Sequence, residues 1–218
     1  LKERSKQQQA NRTIRQPVGG WERNIPWPKK CPEAVSLICR ECERLPIATG
    51  ALSTGAVLGR LFASNELVCY GPDVTSAIIQ PRGQVQGFAA SMQFVVPNPM
   101  IGQHGIAKSG ERSVRCANNV QKRRYVIVEI DDQEIDKSAQ SKILKWLSYL
   151  APLHLVVDSG GKSLHGWFHV EALPETRLVH FFGTALLLGA DPQMWAPSQW
   201  TRMPGGMRKR DGAAFSNQ

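Results

Sequence analysis

Residues 125–131 read YVIVEID and residues 159–170 read SGGKSLHGWFHV. In the first run Val126, Val128 and Ile130 are apolar, while the alternate positions end in Glu129 and Asp131. A strand sends successive side chains to opposite faces, so the two carboxylates point together, away from the apolar row. The second run opens on a tight Ser159-Gly160-Gly161 turn and then alternates again over 163–170. Leu164, Phe168 and Val170 share one parity with Gly166; Ser163, His165, Trp167 and His169 share the other.

Between and after these strands the pattern predicts a helix over Lys137–Leu150, with Ile143, Leu144, Leu147 and Leu150 on one face. A strand is expected over Leu153–Asp158, a helix opened by Pro174 and running to about Leu188, and a last short strand over Gln199–Met203. The order β-α-β-β-α-β is that of the split ferredoxin-like, or RRM-like, unit of an α/β (α+β) fold. In such a unit the first and third strands are neighbours, both helices cover one face, and the other face is open. Glu129, Asp131, Ser163 and His165 then converge on that open face.

Upstream, residues 1–45 read as a basic arm followed by a short helix over Pro32–Leu45. Residues 46–124 read as a smaller α/β module: a helix over Ala51–Ala63, strands over Glu66–Tyr70, Val74–Gln80 and Met92–Val96, then a long Gly-rich basic loop from Gly102 to Arg124. Residues 125–218 form the third unit.

The chain has 218 residues, 42% of them apolar, which excludes a mostly disordered polymer. Lys and Arg number 27 against 18 Asp and Glu, a net charge of +9 that favours a polyanionic partner. Five cysteines are an odd number, which argues against a secreted disulfide framework and for a reducing, cytoplasmic setting. No apolar segment follows the opening basic residues, so no signal peptide is read. The most apolar stretch, Leu178–Ala190, is too short to span a bilayer, and no membrane association is expected.

Carboxylates at i and i+2 on a strand suit one or two hard divalent cations; the plainer alternative is a strand end entering the acidic loop of Asp132, Glu134 and Asp136. The run 159–163 ends in Gly-Lys-Ser, yet Val156 stands where a P-loop needs its first glycine, and a strand follows instead of a helix. Its glycines, Lys162 and Ser163 still suit a phosphate, as an alternative to a plain hairpin with an exposed lysine. His165 and His169 share a face but stand too far apart along the strand to grip one ion, and Cys39-Arg-Glu-Cys42 lacks a second pair, so no zinc is expected. Nucleic-acid binding is assigned to Arg112, Arg115, Lys122, Arg123 and Arg124 of the basic loop, with Arg208 and Lys209 after the last strand.

These pieces, in this order, resemble the archaeo-eukaryotic primase superfamily, which includes primase-polymerases of phages, plasmids and other mobile elements. The matching residues are Val126-Ile-Val-Glu129-Ile-Asp131, Ser163-Leu-His165, Asp191 in Gly189-Ala-Asp191-Pro192, and Arg202-Met-Pro204-Gly205. The resemblance spans about Tyr125–Arg210, with Glu129 where the family more often has Asp. It implies a DNA primase and DNA-dependent polymerase domain using Mg²⁺ or Mn²⁺, NTPs or dNTPs and a single-stranded DNA template. It implies metal ligation by Glu129, Asp131 and Asp191, nucleotide binding by Lys162, Ser163, His165 and Arg202, and catalysis by Glu129, Asp131 and His165. A replicative helicase is the implied partner, and a bacterial host, phage or plasmid the implied setting. The competing readings are a non-catalytic RRM-like nucleic-acid-binding module and another phosphoryl-transfer enzyme, a nuclease or a cyclase, on the same fold.

Overall fold

The computed structural model describes residues 25–46, 52–85, 87–210 and 213–216, and the chain folds as a mixed α+β protein with antiparallel sheets. The expected arm and residue 51 lie outside the described residues, apart from 25–31, which lead into the first helix. Helix α1 (Pro32–Glu41) carries Pro32 in its first turn and ends at Cys42, earlier than the pattern predicts. There the backbone becomes extended, and Leu45 N–H reaches the Ser141 hydroxyl at 3.0 Å. Helix α2 (Thr54–Leu61) starts where Ser53 accepts the Ala56 N–H.

Strands β1 (Leu67–Gly71) and β2 (Ile78–Pro81) form a hairpin. The expected strand from Val74 begins four residues later because Asp73 captures the amides of Thr75 and Ser76 and both their hydroxyls. Those bonds bring the Asp73 carboxyl down to about 2. A one-turn helix, α3 (Arg82–Val85), leads towards β3 (Phe94–Val95), shorter than predicted. The long basic segment is not all loop: β4 (Gly105–Ile106) and β5 (Arg112–Ser113) pair within it.

Strand β6 (Tyr125–Glu129) is followed by α4 (Lys137–Leu147), β7 (Leu153–Asp158), β8 (Leu164–His169) and α5 (Glu175–Leu187). The sheet order is β6-β8-β7, so the first and third strands of the unit are neighbours. Both helices pack on the face of Val126, Val128 and Phe168: Phe181 of α5 meets Phe168 at 4.9 Å between ring centroids, and Leu144 of α4 lies over Gly166. A Cβ at position 166 would stand 2.6 Å from Leu144 Cδ2, so the glycine permits the close approach of helix to sheet.

Two expectations are corrected here. The fourth strand, β9 (Thr201–Arg202), does not complete this sheet; it pairs with β3, giving a second sheet in the order β2-β1-β3-β9. Trp200 explains the choice. Its ring packs 6.0 Å from Phe94, and its N–H donates to the Val74 carbonyl. The free edge of β6 instead receives the Asp191 N–H at the Glu129 carbonyl, 2.8 Å. The second correction concerns the face expected to be open. Ile127 is 1% exposed and Trp167 is buried completely, so that face is covered and the second sheet meets it at the Thr201–His165 contact. One core runs through both sheets, from Val68 and Val95 to Trp167 and Phe182, so 46–124 and 125–218 share their interior. Beyond β9 the chain forms an unexpected hairpin of β10 (Met207–Arg210) and β11 (Ala213–Ser216).

Among the described residues no helix is long and apolar enough to cross a membrane. All five cysteines are free thiols. Burial pushes Cys69 up to about 12, whereas Cys31, Cys39 and Cys42 are half-buried beside α1. Alkylation of the native protein at pH 8 is therefore expected to modify these three first and Cys69 only on unfolding. Peptide mapping in which Cys69 reacts as fast as Cys31 contradicts the packing.

Candidate active site

The strand register sets Glu129, the last residue of β6, directly opposite His165 on β8. His165 Nε2 stands 3.2 Å from Glu129 Oε1, and the Ser163 hydroxyl donates to the same oxygen at 2.9 Å. On its other side His165 Nδ1 lies 2.9 Å from the Thr201 hydroxyl of β9. With a proton on Nε2 the ring donates to Glu129, while Nδ1 pairs with the Thr201 hydroxyl. Thr201, Ser163 and His165 are all nearly inaccessible, while the Glu129 side chain remains 21% exposed.

Burial pushes the Glu129 carboxyl up. The hydrogen bonds and charge of His165, the Ser163 hydroxyl and the charge of Arg202 outweigh that and hold it below the ordinary glutamate range. Asp191 behaves oppositely: burial, then the charges of Glu129 and Asp131, raise it above the usual aspartate value, against a bond from the Gln193 amide. The three carboxylates are therefore electrostatic neighbours. Asp131 lies just past β6 and is exposed, lining with Asp191 a groove of about 690 Å³ whose other wall includes Trp27 and Lys30. On that groove Lys30 is tied to Asp132 and Glu134.

Among the described residues no three acidic, His or Cys side chains are close enough to hold a metal as they stand. The donor chemistry nonetheless fits a hard divalent cation. All three groups offer oxygen, the Ser163 and His165 contacts to Glu129 both fall on Oε1, and positive charge would relieve the repulsion felt by Asp191.

The opposite end of the site is cationic. In the β7–β8 turn Gly160 has φ +67° and its N–H donates to Asp158, itself held 2.7 Å from Lys137. Lys162 projects from this turn and is exposed. Arg208 donates to the Ser159 carbonyl at 2.9 Å and lies across Gly161, where a Cβ would come within 2.3 Å of the guanidinium. Arg202 rests on the Phe94 ring at 4.5 Å; burial and the charge of Arg208 both draw it below the ordinary arginine value.

Several assignments change with these positions. His165 is 3% exposed and both ring nitrogens are engaged, so it holds Glu129 rather than reaching for a phosphate. Arg208 belongs to the turn of Lys162, not to a remote basic tail; Lys209 follows it on β10, opposite Ala214. Arg123 is 4% exposed, stacked on Trp195 at 4.2 Å, and burial draws it down to about 9. Arg124 bonds Glu66 at 2.9 Å, and half-buried Arg115 donates to the Ser198 carbonyl at 3.0 Å and lies over Trp200. These three are packing residues, because a guanidinium satisfies buried carbonyls and stacks on rings. Arg112 and Lys122 remain at the surface, Lys122 paired with Glu171.

Two residues escaped the sequence reading. Thr201 carries no signal of its own. Gln140 does carry one: it stands three, four and seven residues before Ile143, Leu144 and Leu147, a lone polar side chain on the apolar stripe of α4. No family model matches the chain, and no curated protein or solved structure matches it.

Proposed function

We propose that this chain is the catalytic domain of a DNA primase-polymerase, a nucleotidyltransferase that adds NTPs or dNTPs to a 3′-hydroxyl on single-stranded DNA, in replication of a mobile element or virus. The observation that carries the reading is Glu129 held by Ser163 and His165, with Asp131 and Asp191 as electrostatic neighbours, Lys162 and Arg208 at the adjoining turn and Arg202 within electrostatic reach of Glu129 and Arg208. An acidic end suits hard cations and a basic end suits a triphosphate. The β6–α4–β7–β8–α5 order supports an RRM-like core whose fourth strand has moved to the neighbouring sheet.

Glu129, Asp131 and Asp191 would hold Mg²⁺ or Mn²⁺, which supplies Lewis-acid stabilisation of charge on the phosphoryl oxygens. Lys162, Arg202 and Arg208 neutralise the triphosphate as the 3′-oxygen bonds the α-phosphorus and the bond to pyrophosphate breaks. Ser163 and His165 keep Glu129 ionised and aimed, and Thr201 fixes the imidazole. The template is assigned to surface cations such as Arg112 and Lys122, with a replicative helicase as partner. A non-catalytic RRM-like module would stack bases on sheet aromatics. Tyr125 and Trp167 are 4% and 0% exposed, so they offer no such platform.

Primer extension on single-stranded DNA with Mn²⁺ tests the reading. Template-dependent incorporation is expected; template-independent nucleotide turnover indicates a cyclase, and degradation of the strand a nuclease. His165→Ala is expected to lower kcat by about 10–100-fold through a misaimed carboxylate, with KM for nucleotide little changed. An unaltered kcat/KM removes His165 from the site.

A further inference from the structure

We infer that Gln140 is a positioning residue for nucleotidyl transfer, clamping the loop after Asp131 to the Ser163 segment; the inference rests on the proposed polymerase reading. Its side chain is completely buried. Nε2 donates to the Ile135 carbonyl at 2.9 Å and to the Lys162 carbonyl at 3.0 Å, and Oε1 accepts the Leu164 N–H at 2.7 Å. The two bonds to 162 and 164 bracket Ser163, whose hydroxyl holds Glu129. The bond to Ile135 anchors the segment that leaves the carboxylate strand. One amide thus joins both halves of the site without touching either acid.

Its placement is itself fixed from the helix. Asp136 caps α4 by accepting the Ala139 N–H at 2.7 Å, and the Gln140 N–H donates to the Asp136 carbonyl at 2.9 Å. Gln140 lies one turn before Ile143 and Leu144, which are fully buried, so the helix cannot rotate to release the amide without exposing them. Loss of the clamp frees two carbonyls and one N–H at the base of the site, and the Ser163 hydroxyl loses its fixed height relative to Glu129.

The test uses Gln140→Met, which keeps length and removes all three bonds, and Gln140→Glu, which keeps only the acceptor for Leu164. Assayed well below its melting temperature, Gln140→Met is expected to lower kcat by roughly 10–100-fold while nucleotide KM and primer-template binding stay within about twofold. Gln140→Glu turns a carboxyl oxygen against the Ile135 and Lys162 carbonyls, so it is expected to lose at least as much activity as Gln140→Met although the Leu164 N–H keeps an acceptor. Amide hydrogen exchange by NMR gives a readout independent of activity: acceleration confined to residues 162–165 supports the clamp. Wild-type kcat in the folded variant, or acceleration spread evenly along β8, overturns it. Should the wild-type chain incorporate no nucleotide, the polymerase reading fails, and the exchange pattern alone still decides whether Gln140 sets the loop.

Discussion

Glu129→Gln and Asp131→Asn together are expected to abolish template-directed incorporation, on the order of 10³-fold or more, while binding of single-stranded DNA changes less than about twofold. Gln keeps the length of Glu129 and can still accept from Ser163 and His165, so the fold is retained. What disappears is charge. Glu129 is held ionised in a partly buried position by His165, Ser163 and Arg202, an arrangement that maintains a negative site facing Asp131 and Asp191. Without that charge the carboxylate end no longer balances divalent cations. DNA binding is spared because the surface cations assigned to it, Arg112 and Lys122, touch neither acid. Incorporation rates and fluorescence anisotropy on the same preparation separate the two effects. A double variant that retains half the wild-type rate ends the catalytic assignment.

The largest effect on stability is expected at Asn98. This residue has no exposed surface, and its one amide makes four bonds. Nδ2 donates to the carbonyls of Tyr125 and Pro197 at 3.2 and 2.9 Å; Oδ1 accepts from the amides of Arg124 and Tyr125 at 2.7 and 2.8 Å. It thereby ties the segment after β3 to the start of β6 and to the run before β9. Asn98→Leu matches the volume but strands four buried backbone groups. The expected loss is about 3–6 kcal/mol. For a chain of this size that lowers Tm on the order of 10–20 °C. Denaturant unfolding measures it directly; a change below about 1 kcal/mol shows that the four groups find other partners.

Comparable logic separates the basic residues. Arg112, Arg115, Lys122, Arg123 and Arg124 form one charge-rich stretch in the chain, yet three of them serve packing and two remain at the surface. A count of positive charge reports the sum and not the location. Arg123 lies against Trp195, 72 residues away, and Arg124 against Glu66, 58 residues away. Such partners are brought together only by folding.

The alternation of Val126, Val128 and Ile130 against Ile127 and Glu129, and the matching alternation around His165, determined by themselves which side chains share a face, because a strand's period of two is a property of the local backbone. With the turn at 159–161 between β7 and β8, that was sufficient to put Glu129, Ser163 and His165 within reach of one another. Tertiary structure decided the rest. A two-residue strand such as β9 has too few backbone bonds to choose its own sheet, and the burial of Trp200 against Phe94 chose for it. That choice covered the face expected to be open, gave His165 its Thr201 partner, and turned the imidazole from a phosphate donor into a support for Glu129. It also brought Arg202 within electrostatic reach of Glu129 and of Arg208, which itself meets the turn of Lys162, an arrangement that no local pattern encodes, because it depends on where two sheets abut.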